Sequence, residues 1–155
     1  MQLMSSEAPD FRLEDFLPYR LSVAANRVSR RFADRYGAAF GLSIPEWRVM
    51  AVLGRFGRLP AREITARTAM DKVKVSRAVR QLEARGFLER AADAADARLH
   101  WLALSKAGQG VHGAIVPMAR EMEAEVVQGL TAEELAVLHA ALGRIAERFP
   151  GEGVD

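Results

Sequence analysis

The sequence predicts a mostly α-helical chain interrupted by one small β-hairpin, and three observations predict it. Apolar residues Leu21, Ala25, Val28, Phe32 and Tyr36 recur at spacings of three and four, the mark of a single buried helix face. Residues 43–46 and 131–134 are both Ser/Thr-x-x-Glu capping boxes, which satisfy the free backbone donors at a helix start. Residues 87–90 and 99–104 are short apolar and aromatic runs on either side of a small, charged stretch, residues 91–98, as a hairpin with a long tip requires.

Residues 1–13 carry no clear pattern and contain Pro9, so an arm is expected there. Pro18 suits a helix start, and Gly37 and Gly41 are the expected stops. The opposite face of this helix carries Arg20, Arg27, Arg30 and Arg31, whose ordinary reading is a solvated surface. The first capping box opens a second helix with Trp47, Met50, Ala51 and Leu53 inward, ending near Gly54 or Gly57. Pro60 then precedes a short helix over 61–67 with Ile64 buried, residues 68–71 break it, and a fourth helix runs over 72–85 to a stop at Gly86. After the hairpin, Ser105 caps a helix to about Val127 that Pro117 is expected to kink. Gly129 ends it, and the second capping box opens a last helix to about Phe149.

Three helices followed by a two-stranded hairpin form a winged helix-turn-helix. The expected organisation is therefore one domain over 1–155, with residues 43–105 as the winged region and residues 1–42 and 106–155 as outer helices. Those outer helices show broad apolar faces, Leu21, Val28 and Phe32 at one end and Leu135, Leu138, Leu142, Ile145 and Phe149 at the other. Ordinary intramolecular core is one explanation. A small winged domain offers them little of its own protein to bury against, however, and a twofold homodimer solves this.

At 155 residues, half of them apolar, the chain can close one core and is short for two domains. It has no cysteine, which removes disulfides, thiolate chemistry and Cys-ligated zinc. His100, His112 and His139 lie far apart, Gly54-Arg55-Phe56-Gly57 lacks the lysine of a phosphate loop, and no nucleophile-elbow sequence occurs. Neither an enzyme nor a cofactor is expected. No apolar run approaches the ~18 residues of a membrane span, and the polar, acidic start does not read as a leader, so no membrane association and a cytoplasmic location are expected.

Net charge is only +2, but its distribution is uneven. Residues 43–105 hold twelve Lys/Arg against seven acids, a net +5, and the flanks a net −3. A basic middle between mildly acidic ends fits a polyanionic partner. On a helical wheel of residues 72–85, Val75, Val79, Leu82 and Gly86 fall on one side and Val73, Arg77, Arg80 and Ala84 on the other, flanked by Ser76 and Gln81. The exposed stripe has what a major-groove reader needs: arginine for guanine, Ser or Gln for base edges, and a small apolar group for a thymine methyl. Val73, Lys74, Ser76, Arg77 and Arg80 are the candidate DNA-binding residues on the helix, and Arg90 and Arg98 those of the wing. A basic solvated surface, or a winged protein-interaction module without DNA contact, is the alternative; five bases against the single acid Glu83 over 72–85 speak against the module.

Several of these stretches together closely resemble the multiple-antibiotic-resistance regulator (MarR) family. They are Leu42-Ser43 through Trp47-Arg48, Ala61-Arg62-Glu63-Ile64, Asp71-Lys72-Val73-Lys74-Val75-Ser76-Arg77, Leu82-Glu83-Ala84-Arg85-Gly86 and the D-x-x-D-x-R wing Asp93-Ala94-Ala95-Asp96-Ala97-Arg98. The resemblance spans about residues 15 to 148, and Pro60 departs from it where many members place Thr or Ser. It implies dimerisation through the terminal helices and binding to palindromic double-stranded promoter DNA, usually as a repressor. It also implies that Ser76 and Arg77 lie on the recognition helix, that Arg98 is the wing-tip contact, and that Asp96 orients Arg98. A small aromatic or lipophilic effector is implied between the dimer helices and the winged region, with Tyr19, Trp47, Met50 and Phe56 as candidate lining residues; an effector-free regulator, with these four as ordinary core, is the alternative.

Overall fold

A computed structural model describes residues 9–151; the first eight residues of the arm and the last four of the chain lie outside them. After a 3-10 turn at Leu13–Asp15, the elements are α1 (Leu17–Phe40), α2 (Ile44–Phe56), β1 (Arg58–Leu59), α3 (Ala61–Thr68), α4 (Lys72–Ala84), β2 (Leu88–Ala92), β3 (His100–Leu104), α5 (Lys106–Val126) and α6 (Ala132–Arg148). This is the expected class, mostly α with a small β wing in a winged helix-turn-helix.

Two helices end at the later of the two glycines expected to stop them, for one reason. Helix α1 passes Gly37 and ends at Gly41, and α2 passes Gly54 and ends at Gly57. A glycine inside a helix costs only about 1 kcal/mol, whereas termination uses the left-handed or otherwise positive φ seen at Gly41 (65°) and Gly57 (83°). Gly54 stays in the helix because α5 crosses there. A Cβ at that position would collide with the His112 imidazole.

The wing is also larger than a hairpin. Strand β1 adds to β3, giving the antiparallel order β1-β3-β2, with Arg58 opposite Ala103 and Leu59 opposite Leu102. Two residues are too few to show a strand period, which is why the sequence pattern misses β1. In the hairpin itself Leu88 faces Leu104, Arg90 faces Leu102 and Ala91 faces Trp101. Leu88, Leu102 and Leu104 turn inward, and Trp101 and Ala103 lie on the outer face.

The core lies under α4. Val49, Met50 and Leu53 of α2, Ile64 of α3, Val75, Ala78, Val79 and Leu82 of α4, Leu102 of β3, Tyr36 of α1 and Ile115 of α5 are all buried in one cluster. Ion pairs from Arg35 to Glu121 (3.1 Å) and Arg31 to Glu125 (3.6 Å) join α1 to α5. Helix α5 runs through Pro117 to Val126. Helix α6 starts on the expected reciprocal box, with Thr131 and Glu134 bonded at 3.0 and 3.1 Å, yet none of its residues is buried. Val137, Leu138 and Leu142 lie exposed along it.

The joint between α4, the wing and α5 is closed by backbone. The Ser105 N–H donates to the Phe87 carbonyl (2.9 Å), its hydroxyl donates to the Gly86 carbonyl, and Ser105 Oγ accepts from the Gly108 N–H (3.1 Å). A Cβ on Gly108 would strike the Phe87 carbonyl oxygen, whereas Gly110 has open space around it. Gly108→Ala is therefore expected to destabilise by about 1–3 kcal/mol, as overpacking does. Gly110→Ala should instead stabilise by about 0.5–1 kcal/mol through helix propensity; chemical denaturation of the two variants measures both.

Candidate nucleic-acid interface

Helix α4 is capped by Asp71, whose carboxylate accepts from the Lys74 N–H at 2.8 Å. The turn before it places Ala69 at φ 52°, ψ 34°, a left-handed conformation that reverses the chain between α3 and α4, and Met70 is buried beside it. Helix α3 is tied by its own threonines: the Thr68 hydroxyl donates to the Ile64 carbonyl (2.7 Å) and the Thr65 hydroxyl to that of Ala61 (3.0 Å). With Val75, Ala78, Val79 and Leu82 buried, rotation of α4 is fixed, and Val73, Lys74, Ser76, Arg77 and Arg80 come out together on the exposed side. Val73 is 67% exposed, which leaves its side chain open to an apolar contact from a partner.

A groove of about 520 Å³ runs between α3, α4 and β2, bordered by Arg62, Lys72, Ser76, Arg80 and Arg90. Its polar rim is wholly basic or hydroxylic, which suits phosphate oxygens. Arg77 and Arg80 also border the far flank of α4, with Gln81 and Arg85. Neither Arg77 nor Arg80 has an ion-pair partner among the described residues.

Two other arginines of the basic middle are committed to the fold. Arg85 donates to the carbonyls of Phe40 (2.7 Å) and Gly41 (3.1 Å), the unsatisfied end of α1, and lies over the Phe87 ring at 4.7 Å. Arg90 pairs with Glu83 at 2.6 Å, tying β2 to α4, and that bond pushes its guanidinium still further toward the charged form. Arg90 thus borders the groove while one side of it holds the wing in place.

At the wing tip Arg98 is exposed. Asp96 acts on it through the backbone: Asp96 Oδ1 accepts from the Arg98 N–H (3.0 Å), and no side-chain ion pair joins the two among the described residues. Asp93, the first acid of the motif, does more. Its carboxylate accepts from Trp101 Nε1 (2.9 Å) and from the N–H groups of Ala95 and Asp96 (both 3.0 Å). These bonds, the indole first, hold its pKa below the usual carboxylate range. The sequence reading passed over Asp93, Trp101 and Arg58; an acid two and three residues before the backbone donors it binds is a recognisable Asx-turn signal.

The four candidate effector residues do not come together. Met50 is fully buried in the core of the single chain. Phe56 sits at the end of α2 beneath Arg67, whose guanidinium is 4.0 Å from the ring centroid, and Tyr19 is exposed near the start of α1. Trp47 alone lines a cleft at the α1–α2 seam, with Val28, Ser29, Phe32 and Tyr36. That cleft measures only about 130 Å³ in the single chain, below the ~300 Å³ at which drug-sized ligand sites begin.

Comparison with known proteins follows the same lines. A sequence profile described as the MarR family matches residues 40–99, from the end of α1 into the wing. A probable transcriptional regulator from Pseudomonas aeruginosa is 31% identical, with a TM-score of 0.79 over 86% of this chain and 99% of that one. Sco3205, a MarR family transcriptional regulator from Streptomyces coelicolor solved in complex with DNA, is 20% identical with a TM-score of 0.83 over 96% and 95% of the two chains. BpsR from Bordetella bronchiseptica, whose structure concerns regulation of its DNA binding by 6-hydroxynicotinic acid, is 21% identical with a TM-score of 0.83 over 89% and 98%. The last two establish likeness of fold.

Tyr36, between Phe32 and Trp47 on the cleft wall, has its phenol pushed up to about 12 by burial, with Arg48 opposing. A phenol that stays protonated in the fold but ionises near pH 10 when unfolded destabilises the fold as pH rises through that window. Tyr36→Phe should therefore remove about 1–2 kcal/mol of the alkaline loss between pH 10 and 12. Thermal unfolding of the two proteins across that range, compared as a difference, checks it.

Proposed function

This chain belongs to the MarR family of transcriptional regulators, a family of regulators and not of enzymes, and on that premise we propose that it binds a palindromic promoter site sequence-specifically. It acts there as a homodimer in the cytoplasm, as a repressor released by a small aromatic or lipophilic effector. The observation that carries the DNA half is the face of α4. A fully buried stripe locks the helix, and the opposite side offers Val73, Lys74, Ser76, Arg77 and Arg80 to a partner. Arg98 at the wing tip adds a second point of contact for a neighbouring minor groove.

The homodimer is supported by what the single chain leaves uncovered. No residue of helix α6 is fully buried, and Val137, Leu138 and Leu142 on it, with Leu17 and Val28 on α1, remain exposed. Apolar faces of this kind on terminal helices fit a twofold partner of the same chain. Such a dimer would set two α4 helices about 34–36 Å apart, one turn of duplex. The effector half is supported by the aromatic seam of Phe32, Tyr36 and Trp47 and by the likeness to BpsR.

Selection of bound duplexes from a random library is expected to yield an inverted repeat with half-sites one turn apart. Affinity for it should fall with salt at roughly −0.9 per phosphate contacted on a log–log plot. Arg77→Ala should cost about 1–3 kcal/mol and relax one base position, and Arg98→Ala should weaken binding on most sequences; unchanged affinity in both variants would overturn the assignment. Leu138→Asp with Leu142→Asp should give a monomer in sedimentation and lose the operator. A dimer that survives both changes would move the interface elsewhere.

A further inference from the structure

The outer face of the wing carries a chain of contacts that leads to Arg98. Strand β1 sets Arg58 opposite Ala103, so that it lies diagonal to Trp101 on the same face, and its guanidinium carbon is 4.6 Å from the indole centroid. The edge of that indole donates from Nε1 to Asp93 (2.9 Å). Asp93 then holds the N–H groups of Ala95 and Asp96, and Asp96 holds the N–H of Arg98. The loop is closed behind them by Asp93 N–H to Leu99 carbonyl (2.8 Å) and Leu99 N–H to Asp96 carbonyl (3.1 Å).

We propose that Trp101, clamped by Arg58 and hydrogen-bonded to Asp93, is a positioning residue that orders the wing tip before DNA arrives. The proposal rests on the DNA reading above. The tip between β2 and β3 contains Asp93, Ala94, Ala95, Asp96, Ala97, Arg98 and Leu99, with three alanines and no buried side chain, so it has no packing of its own to fix it. A loop ordered only on binding charges the ordering entropy to the complex; one ordered beforehand does not. Trp101 suits the task because a single side chain offers both a face for a cation and an edge donor for a carboxylate. Arg58 has no base-reading position in this arrangement and acts through the indole.

The test is a double-mutant cycle in the full chain, on the duplex recovered by selection. Trp101→Phe keeps a ring beneath Arg58 and deletes the donor to Asp93. It is expected to weaken binding about three- to tenfold, the value of one hydrogen bond. In an Arg98→Ala background the same substitution should cost less than about twofold, because nothing is left to position. Asp93→Ala should behave as Trp101→Phe does. Equal losses with and without Arg98, or no loss at all, would overturn the proposal. Amide hydrogen exchange at Ala95 and Asp96 supplies a readout that needs no DNA: it should accelerate in Trp101→Phe while the α4 amides keep their protection. A wild-type protein that enriches no duplex brings down the DNA reading and the wing's role with it, and the exchange data then show separately whether the brace exists.

Discussion

The contact on which the rest of the structure depends is between two pieces of backbone, the first turn of α5 and the carbonyl of Phe87. Gly108 permits an approach that no side chain allows, and Ser105 uses it, bonding to Gly86 and Phe87 while it caps α5. Because Gly86 and Phe87 are the exit of α4, the helix that exposes Ser76 and Arg77 is joined to the start of the long outer helix by direct hydrogen bonds. Phe87 N–H donating to the Leu82 carbonyl completes the exit. Buried hydrogen bonds of this type contribute about 1 kcal/mol each. Their larger effect is to define one angle between two helices.

Arginine does two different jobs in the basic middle of the chain. Arg85 caps the carbonyl end of α1, Arg90 pairs with Glu83, Arg67 lies over Phe56 and Arg58 over Trp101. Each is at least partly exposed, and exposed pairs add little to stability. What they add is position, since a planar guanidinium fixes direction as well as distance. Arg77, Arg80 and Arg98 have the same chemistry on the exposed surface, so the charge that reads as one block in sequence divides into a frame and the edge proposed to read DNA.

That division explains what the sequence reveals of this protein and what it hides. The helices were legible because Leu82 and Val75 recur with the helical period and because Ser43, Ser105 and Thr131 are strong caps. The exposed stripe of α4 followed from the same period. Strand β1 was not legible, since Arg58 and Leu59 are too short to show alternation, and so Arg58 had no assigned face. Arg85 was counted only among the bases of residues 72–85, because nothing in the sequence signals the α1 carbonyls that the tertiary fold brings beside it. Apolar residues of one helix face are sorted between core and cleft by neighbouring elements that the sequence does not show: in the single chain Met50 is fully buried, while Trp47 lies at the seam.

The same joints bear on how such a protein can switch. Helix α4 is bound at its exit to α5 through Phe87 and to α1 through Arg85, and α1 and α5 are tied to each other by Arg31 and Arg35. A change of spacing between two α4 helices in the proposed homodimer therefore meets resistance within each protomer, where cores respond as packed solids. The softer place is outside this frame. Helix α6 has no buried residue holding it to its own chain, and beside the core a cleft of about 130 Å³ opens at Trp47 on the α1–α2 seam. In the proposed regulator, an effector that opened that seam would have to move α1, and α1 is joined to the exit of α4 through Arg85. On that proposal, the frame that holds the exposed face of α4 is also the path by which such a movement would reach it.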